Sequence, residues 1–107
     1  MKDILSRLNK DFENRFRLGI MSLLMVHERV DFNTFKELLR TTDEEPISDG
    51  NLASHLSSLE KRGYLQVSKQ FVGRKPRTSY EATPEGRTAF DAHLNALEAL
   101  LSGRGPS

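Results

Sequence analysis

Residues 48–87 constrain the fold of this chain most strongly, because their sequence predicts a helix, its C-terminal end, a β-hairpin and the start of a second helix in direct succession. Ser48 is suited to cap the first helix by accepting a hydrogen bond from a free backbone N–H group. Leucines then recur at positions 52, 56 and 59, which is the spacing of one buried helical face. Gly63 is expected to end the helix, since glycine readily adopts the left-handed conformation that follows many helices.

Two extended runs after Gly63 predict a β-hairpin. The runs cover residues 64–72 and 77–82, and we expect the turn between them to be Gly73, Arg74, Lys75 and Pro76. Thr83 is placed to cap a last helix, which has Pro84 at its first position and Glu85 in its first turn. This helix is expected to reach about residue 101.

The residues before position 48 predict supporting elements. A helical period covers residues 1–28, with one apolar stripe followed by a second that ends at a partly buried His27. Residues 30–32 predict a short strand beside the hairpin. Asn33 is expected to cap a helix over residues 34–40, whose inward-facing side chains are Phe35, Leu38 and Leu39.

Length and composition predict one domain over residues 1–101 that is mainly α with a small β-hairpin, an α+β fold, followed by a flexible tail at 102–107. The chain has 107 residues, of which 36% are hydrophobic, enough for one modest core. It contains no cysteine, which excludes disulfides and suits a reducing compartment. No apolar run approaches the roughly 18 residues of a membrane span, so we expect a cytoplasmic protein without a membrane partner.

Positive charge is concentrated in the helix exit and the hairpin. The whole sequence has a net charge of only +1, whereas residues 61–87 contain seven basic and two acidic groups. Four cations of the hairpin are suited to lie along a phosphate backbone, and an arginine at its tip can enter a minor groove; they are Lys69, Arg74, Lys75 and Arg77. Cations on an edge strand also prevent aggregation, so that alternative stays open.

The helix after Ser48 has short polar side chains on its predicted outer face. Opposite the leucines lie Gly50, Ser54, Ser57, Ser58 and Lys61, with Asn51 and His55 at the edges. Stability alone would favour longer helix-forming residues there. A thin polar helix can enter a major groove and bond base edges or phosphates. The alternative is a helix that is merely polar and weak.

The terminal segments predict another apolar surface. The last helix has a heptad-like seam made of Phe90, Leu94, Leu97 and Leu101. The first apolar stripe of the chain can cover this seam, and it consists of Ile4, Leu5, Leu8 and Phe12. We expect these eight residues to form the interface of a two-fold dimer. The alternative is that the first stripe folds back on its own domain.

The sequence contains no recognisable group of catalytic or metal-ligating residues. His27, His55 and His93 are isolated, and none has a second ligand at helical or hairpin spacing. No serine has an obvious histidine partner for nucleophilic chemistry. We therefore expect no metal, no cofactor and no enzymatic activity.

A family resemblance rests on the stretches DGNLASHLSSLEKRGYLQV, FVGRKPRTSYEATPEGR and RLGIMSLL. Over about residues 14–100 the chain resembles the winged helix-turn-helix transcriptional regulators of bacteria and archaea, of the MarR-like and ArsR-like kind. The resemblance implies a homodimer on a pseudo-palindromic operator, with residues 48–62 in the major groove and residues 64–82 as the wing on the backbone or minor groove. The implied contacts are Ser48, Asn51, Ser54, His55 and Ser58 on the helix, and Arg74, Lys75 and Arg77 on the wing.

Such regulators often respond to a ligand or a metal, but the cysteines of the metal sensors are missing here and no residue identifies an effector pocket. The loop at 41–47 is longer than the usual turn of the motif, and its acidic residues would repel DNA. The alternative function is a winged-helix module that docks a protein partner. It would need an apolar anchor on the outer face of the helix, where the sequence has only short polar groups.

Overall fold

The computed structural model of the protein describes residues 2–40 and 46–103. Within them, the α-helices are α1 (Lys2–Arg7), α2 (Arg15–Val26), α3 (Phe32–Leu38), α4 (Asp49–Lys61) and α5 (Pro84–Leu101), with a 3-10 turn at Lys10–Phe12. The strands are β1 (Val30–Asp31), β2 (Leu65–Val72) and β3 (Lys75–Ala82). The predicted class, mainly α with a small β-hairpin wing, is confirmed. The acidic part of the loop before Ser48 lies at 41–45, outside the described residues, as do residues 104–107 of the tail.

The N-terminal segment is interrupted where a long helical period was predicted. The side chain of Asn9 accepts a hydrogen bond from the N–H of Asp11, and the side chain of Asn14 accepts from the N–H groups of Phe16 and Arg17. Asparagine breaks a helix in this way because its side chain competes with the backbone for hydrogen bonds. The break lets α1 fold back along α5 of its own chain.

The core lies between α2, α3, α4, the wing and α5, and it contains the three leucines of α4 as predicted. Its other members include Ile20, Met21, Leu24, Phe35, Leu65 and Phe90. Two expectations for the first half of the chain are wrong. His27 is exposed because it lies just beyond the end of α2, and Leu38 is 53% exposed because it lies on the outer side of the short helix α3.

Helix α3 begins two residues earlier than predicted. Asp31, rather than Asn33, caps it by accepting a hydrogen bond from the N–H of Thr34 at 2.8 Å. Phe32 therefore belongs to α3 instead of the preceding strand. An acidic cap is favourable because it also meets the positive end of the helix dipole.

The sheet is antiparallel with the strand order β1-β3-β2. The predicted third strand is confirmed by the pairing of Val30 with Tyr80 and of Asp31 with Ser79. The hairpin turn is shorter than predicted, because Val72 already pairs with Lys75 and only Gly73 and Arg74 remain in the loop. Gly73 has a φ of 66°, and a glycine in this position allows a two-residue turn that matches the twist of the strands.

A tight junction joins the end of α4, the wing and the start of α5. Gly63 has a φ of 80° and donates to the carbonyl of Glu60, while Tyr64 donates to the carbonyl of Leu59, which is the Schellman ending of a helix. Thr83 caps α5 as predicted, and its N–H donates to the carbonyl of Tyr64 at 3.1 Å. We call residues 63–65 and 82–86 the wing base.

Candidate nucleic-acid interface

The outer side of α4 is polar and open to solvent. We call its exposed residues Gly50, Asn51, Ser54, Ser57 and Lys61 the α4 face. This side faces outward because the leucines on the opposite side of the helix are buried in the core. Among the helix residues predicted to contact DNA, those that are exposed are Ser48, Asn51, Ser54 and Lys61, whereas His55 and Ser58 are half-buried.

Ser48 and Asp49 lie next to the N-terminal end of the α4 face. The hydroxyl oxygen of Ser48 accepts a hydrogen bond from the N–H of Asn51 at 3.2 Å, as expected for a cap, and its own proton is a separate donor. Asp49 forms an ion pair of 2.7 Å with Lys36 of α3. Lys36 thus offsets a carboxylate at the edge of the face. The pair was not predicted, because nothing in the local sequence spacing connects the two helices.

His55 faces helix α2. Nε of Arg17 donates to Nδ1 of His55 at 3.0 Å, and the ring of Phe16 lies 6.1 Å away between centroids. Burial lowers the pKa of His55, and the positive charge of Arg17 lowers this pKa further. The imidazole is therefore neutral near pH 7 with its proton on Nε2. It can donate one hydrogen bond but adds no positive charge to the α4 face.

An acidic residue in the N-terminal segment holds two arginines near α4. The carboxylate of Asp11 lies 3.6 Å from Arg17 and 3.5 Å from Arg62, the residue that follows the last turn of α4. Arg62 adds a cation at the end of the α4 face, but the carboxylate of Asp11 offsets part of its charge. The 3-10 turn that contains Asp11 is thereby tied to both α2 and the end of α4.

The strand register distributes the wing cations over both faces of the hairpin. Lys69 pairs with Thr78, on the face that carries Val67 and Tyr80 nearer the base. Arg77 pairs with Gln70, and Lys75 with Val72, on the opposite face. Arg74 lies in the turn, and all four cations are exposed. A hairpin with cations on both faces is suited to lie between two phosphate backbones.

Arg77 also lies near an acidic group. Hydrogen bonds from Thr34 lower the pKa of Asp31, burial opposes this effect, and the positive charge of Arg77 contributes further to the lowering. Arg77 and Asp31 line a groove of about 370 Å³ between the wing and the start of α3, together with Phe32, Asn33, Val72, Lys75, Pro76 and Thr78. Asp31 therefore offsets part of the charge that Arg77 presents.

The apolar residues predicted for a dimer interface are divided between the core and the surface. Ile4, Phe12 and Phe90 are each 1 to 2% exposed and are covered within the single chain. Leu8 and Leu97 are half-buried, whereas Leu5, Leu94 and Leu101 are 51%, 41% and 83% exposed. Ile4 and Phe12 therefore need no second chain to bury them. The exposed leucines are the part of this set that a second chain can cover.

His93 is a buried structural residue of α5. Its Nδ1 accepts a hydrogen bond from the N–H of Asn9 at 2.9 Å, and the amide group of Asn9 donates to the hydroxyl of Tyr64 at 3.1 Å. These bonds join the N-terminal segment to α5 and to the wing base. In residues 2–40 and 46–103, no group of three or more histidine or acidic side chains is placed to hold a metal ion.

The chain is similar to known proteins in both sequence and structure. A family model described as winged helix DNA-binding domain matches residues 16–101. The sequence is 34% identical over 91 residues to an uncharacterized protein of Methanocaldococcus jannaschii, and the match covers 85% of this chain and 92% of that protein. The structure is similar to that of the transcriptional regulator homologue protein from Pyrococcus horikoshii OT3, with a TM-score of 0.78, 29% identity and coverage of 95% and 93% of the two chains.

The fold also matches a protein from Porphyromonas gingivalis W83 that is assigned to the MarR family of transcriptional regulators. The TM-score is 0.62 at 17% identity, with coverage of 86% of this chain and 83% of that chain. These matches confirm the winged-helix resemblance that was inferred from the helix and hairpin motifs. The family match begins near the start of α2, so α1 and the 3-10 turn lie before it. Among the described residues, no helix has the length and hydropathy required to cross a membrane.

Proposed function

Because this chain belongs to the winged helix DNA-binding domain family, we propose that it is a transcriptional regulator that binds double-stranded DNA sequence-specifically as a homodimer. Residues 1–101 act as one domain. The α4 face lies in the major groove, where Asn51 and Ser54 bond base edges and Ser48, Ser58 and Lys61 bond phosphates or bases. The wing lies on the adjacent backbone and minor groove through Lys69, Arg74, Lys75 and Arg77.

One observation carries this proposal: the polar α4 face and the cations of the wing are exposed on two elements that the wing base joins directly. Gly63 and Tyr64 end α4 and begin the wing within two residues. The spacing between the helix and the hairpin is therefore set by backbone hydrogen bonds. Such a unit can read base edges with the helix while its cations fix the position on the duplex.

The α4 face offers little to a protein partner. Its exposed side chains are short or charged, and no large apolar residue lies among them. Protein interfaces obtain most of their binding energy from a few buried aromatic or arginine anchors. The α4 face therefore fits a hydrated, polar groove better than an apolar surface.

The wing cations provide the test of DNA binding. Replacing Arg74, Lys75 and Arg77 by alanine is expected to weaken binding to all duplexes and to reduce the slope of log affinity against log salt by about 0.9 for each phosphate that the wing no longer neutralises. Fluorescence anisotropy between about 50 and 200 mM salt would measure both effects. The matched control replaces Lys2, Arg7 and Lys10, which are exposed cations of the N-terminal segment. An equal loss in both variants, or salt-independent binding of the wild type, would contradict the proposed interface.

The exposed leucines provide the test of dimerisation. A charge buried in an apolar interface is costly, so the double substitution Leu94→Glu and Leu101→Glu is expected to convert a dimer into a monomer. Analytical ultracentrifugation at micromolar concentration would measure this change. Val26→Glu is the control, because Val26 is 78% exposed on α2 and belongs to no predicted interface. A wild-type chain that sediments as a monomer would remove the dimer from the proposal.

A further inference from the structure

The end of the wing carries exposed apolar residues that the proposed DNA contacts do not use. We call residues 69–77 the wing tip. Within it, Phe71 is 77% exposed and Val72 is 56% exposed. Phe71 lies directly opposite Pro76 in the strand pairing, and Pro76 is exposed as well. The phenyl and pyrrolidine rings therefore share one face of the hairpin, beyond the point where the core ends.

Folding gives no reason for an aromatic ring at this position. The buried residues of β2 and β3 are Leu65 and Ser79, which lie closer to the wing base. The turn itself is determined by Gly73, and protection of the strand edges is already provided by lysines and a proline. An exposed phenylalanine beside an exposed proline also favours self-association. A binding surface explains why the ring is present.

The cations around the rings indicate which surface they meet. Lys69 lies on the same face as Phe71, Arg74 lies in the turn, and Lys75 and Arg77 lie on the opposite face. Positive charge therefore lies beside the rings, at the turn and behind the rings, although Asp31 offsets part of the charge of Arg77. The minor groove of DNA is complementary to such a wing tip, because anionic phosphate backbones border a narrow groove of sugars and base edges that the rings can enter. A flat anionic membrane can meet only one face or the end of the hairpin.

We propose that Phe71, supported by Pro76, is an apolar wedge that enters the minor groove and partly unstacks a base step, so that binding bends the duplex. This inference rests on the proposed function, because it assumes that the α4 face occupies the neighbouring major groove. Apolar side chains inserted between base steps kink DNA toward the major groove. The surrounding cations strengthen binding through the phosphates, and the wedge selects steps that unstack at low cost, such as TA and CA.

The test uses the full chain and a duplex selected by the wild type from a random DNA pool. Phe71→Ala is expected to lower affinity about tenfold or more, because a largely buried phenyl ring is lost from the complex. It is also expected to reduce the bend, measured by energy transfer between dyes at the two ends of the duplex. Phe71→Leu retains an apolar wedge and is expected to keep most of the affinity and the bend. Val26→Ala is the control, since it truncates an equally exposed apolar side chain on α2.

The outcomes separate the wedge from the function on which it rests. If the wild type selects and binds a duplex but Phe71→Ala keeps both the affinity and the bend, the wedge is wrong and DNA binding stands. If the wild type binds no duplex, both proposals fail. If Phe71→Ala changes only binding to vesicles of phosphatidylserine, the ring belongs to a membrane contact and the wedge is overturned. Unchanged circular dichroism would show that a loss of binding is not a loss of folding.

Discussion

The two ends of the wing differ in packing, because the wing base contains buried residues and the wing tip is exposed. At the wing base, Leu65 is buried and Gly86 of α5 approaches Tyr64 so closely that a Cβ atom on Gly86 would lie 1.9 Å from the carbonyl oxygen of Tyr64. At the wing tip, residues 69–77 are exposed throughout, and they include four cations and two large apolar residues that contribute nothing to the core. The base is determined by close packing, and the tip is free to serve binding.

This difference separates the structural role of the wing base from the binding role proposed for the wing tip. Packing at the wing base orients β2 and β3 relative to α4, because the carbonyl of Tyr64 accepts from Thr83 and the backbone of Tyr64 leaves no room for a side chain on Gly86. Substitutions at the base should therefore change stability first and binding only as a consequence. Substitutions at the tip should change binding with little change in stability.

The largest effect is expected from Gly86→Ala. The added methyl group overlaps the backbone of Tyr64, which cannot move without breaking the junction between α4 and α5. Overpacking of this kind costs about 3 kcal/mol or more. For a domain of this size, that cost corresponds to a decrease of more than about 10 °C in Tm, measurable by differential scanning calorimetry.

Gly50→Ala is the matched control for this prediction. Gly50 is also in a helix, but outside its chain neighbours and the backbone of its own helix no atom lies within 4 Å of the position that its Cβ would occupy. Alanine there is expected to raise stability by about 0.5 kcal/mol, since glycine is a poor helix former.

The triple alanine substitution at Arg74, Lys75 and Arg77 should shift Tm by only a few degrees, as exposed substitutions do. A similar decrease in Tm for the wing-tip variant and for Gly86→Ala would contradict the idea that only the wing base determines stability.

A smaller effect is expected from acidification, and it acts through His93. Burial lowers the pKa of His93, an effect that nearby Glu13 opposes. The unfolded chain then binds more protons than the folded one below about pH 6.5, so the contribution of His93 to stability is lost as the pH falls through its folded-state pKa. Urea unfolding between pH 7.5 and 5 would show this decline in the free energy of unfolding.

His93→Asn tests the assignment of this pH dependence. The asparagine oxygen can replace Nδ1 as acceptor for the N–H of Asn9 but does not titrate in this range. We expect the variant to lose less stability than the wild type between pH 7.5 and 5. Some dependence should persist, because burial and Arg17 also lower the pKa of His55. An unchanged pH profile would show that the link between Asn9 and α5 is insensitive to the charge on this ring.

Local patterns predicted the centre of the molecule well. The cap at Ser48, the leucine face of α4, the glycine exit at Gly63 and the start of α5 at Thr83 were all predicted, and the structure confirms them. Each depends on residues within one or two turns of one another, so the chain carries the information locally. The candidate DNA contacts on the α4 face and the wing stay predictions.

Local patterns failed where neighbouring interactions compete. Asp31 and Asn33 are both capable caps, and the pairing of Asp31 with Ser79 in the sheet decided between them. Asn9 and Asn14 interrupted a regular apolar period because their side chains bond to the backbone. The hairpin turn was predicted too long because the pairing of Val72 with Lys75 depends on the twist of both strands.

The stretch from Ser48 to Arg87 by itself determined the helix, its glycine exit, the basic hairpin and the cap of the last helix, because capping and periodicity act over short distances. Only the tertiary structure decided how these parts are used. It buried Ile4, Phe12 and Phe90 within one chain, turned His55 toward Arg17, divided the wing cations between two faces and left Phe71 exposed at the tip. These outcomes depend on which surfaces meet, and side chains distant in sequence compete for the same core.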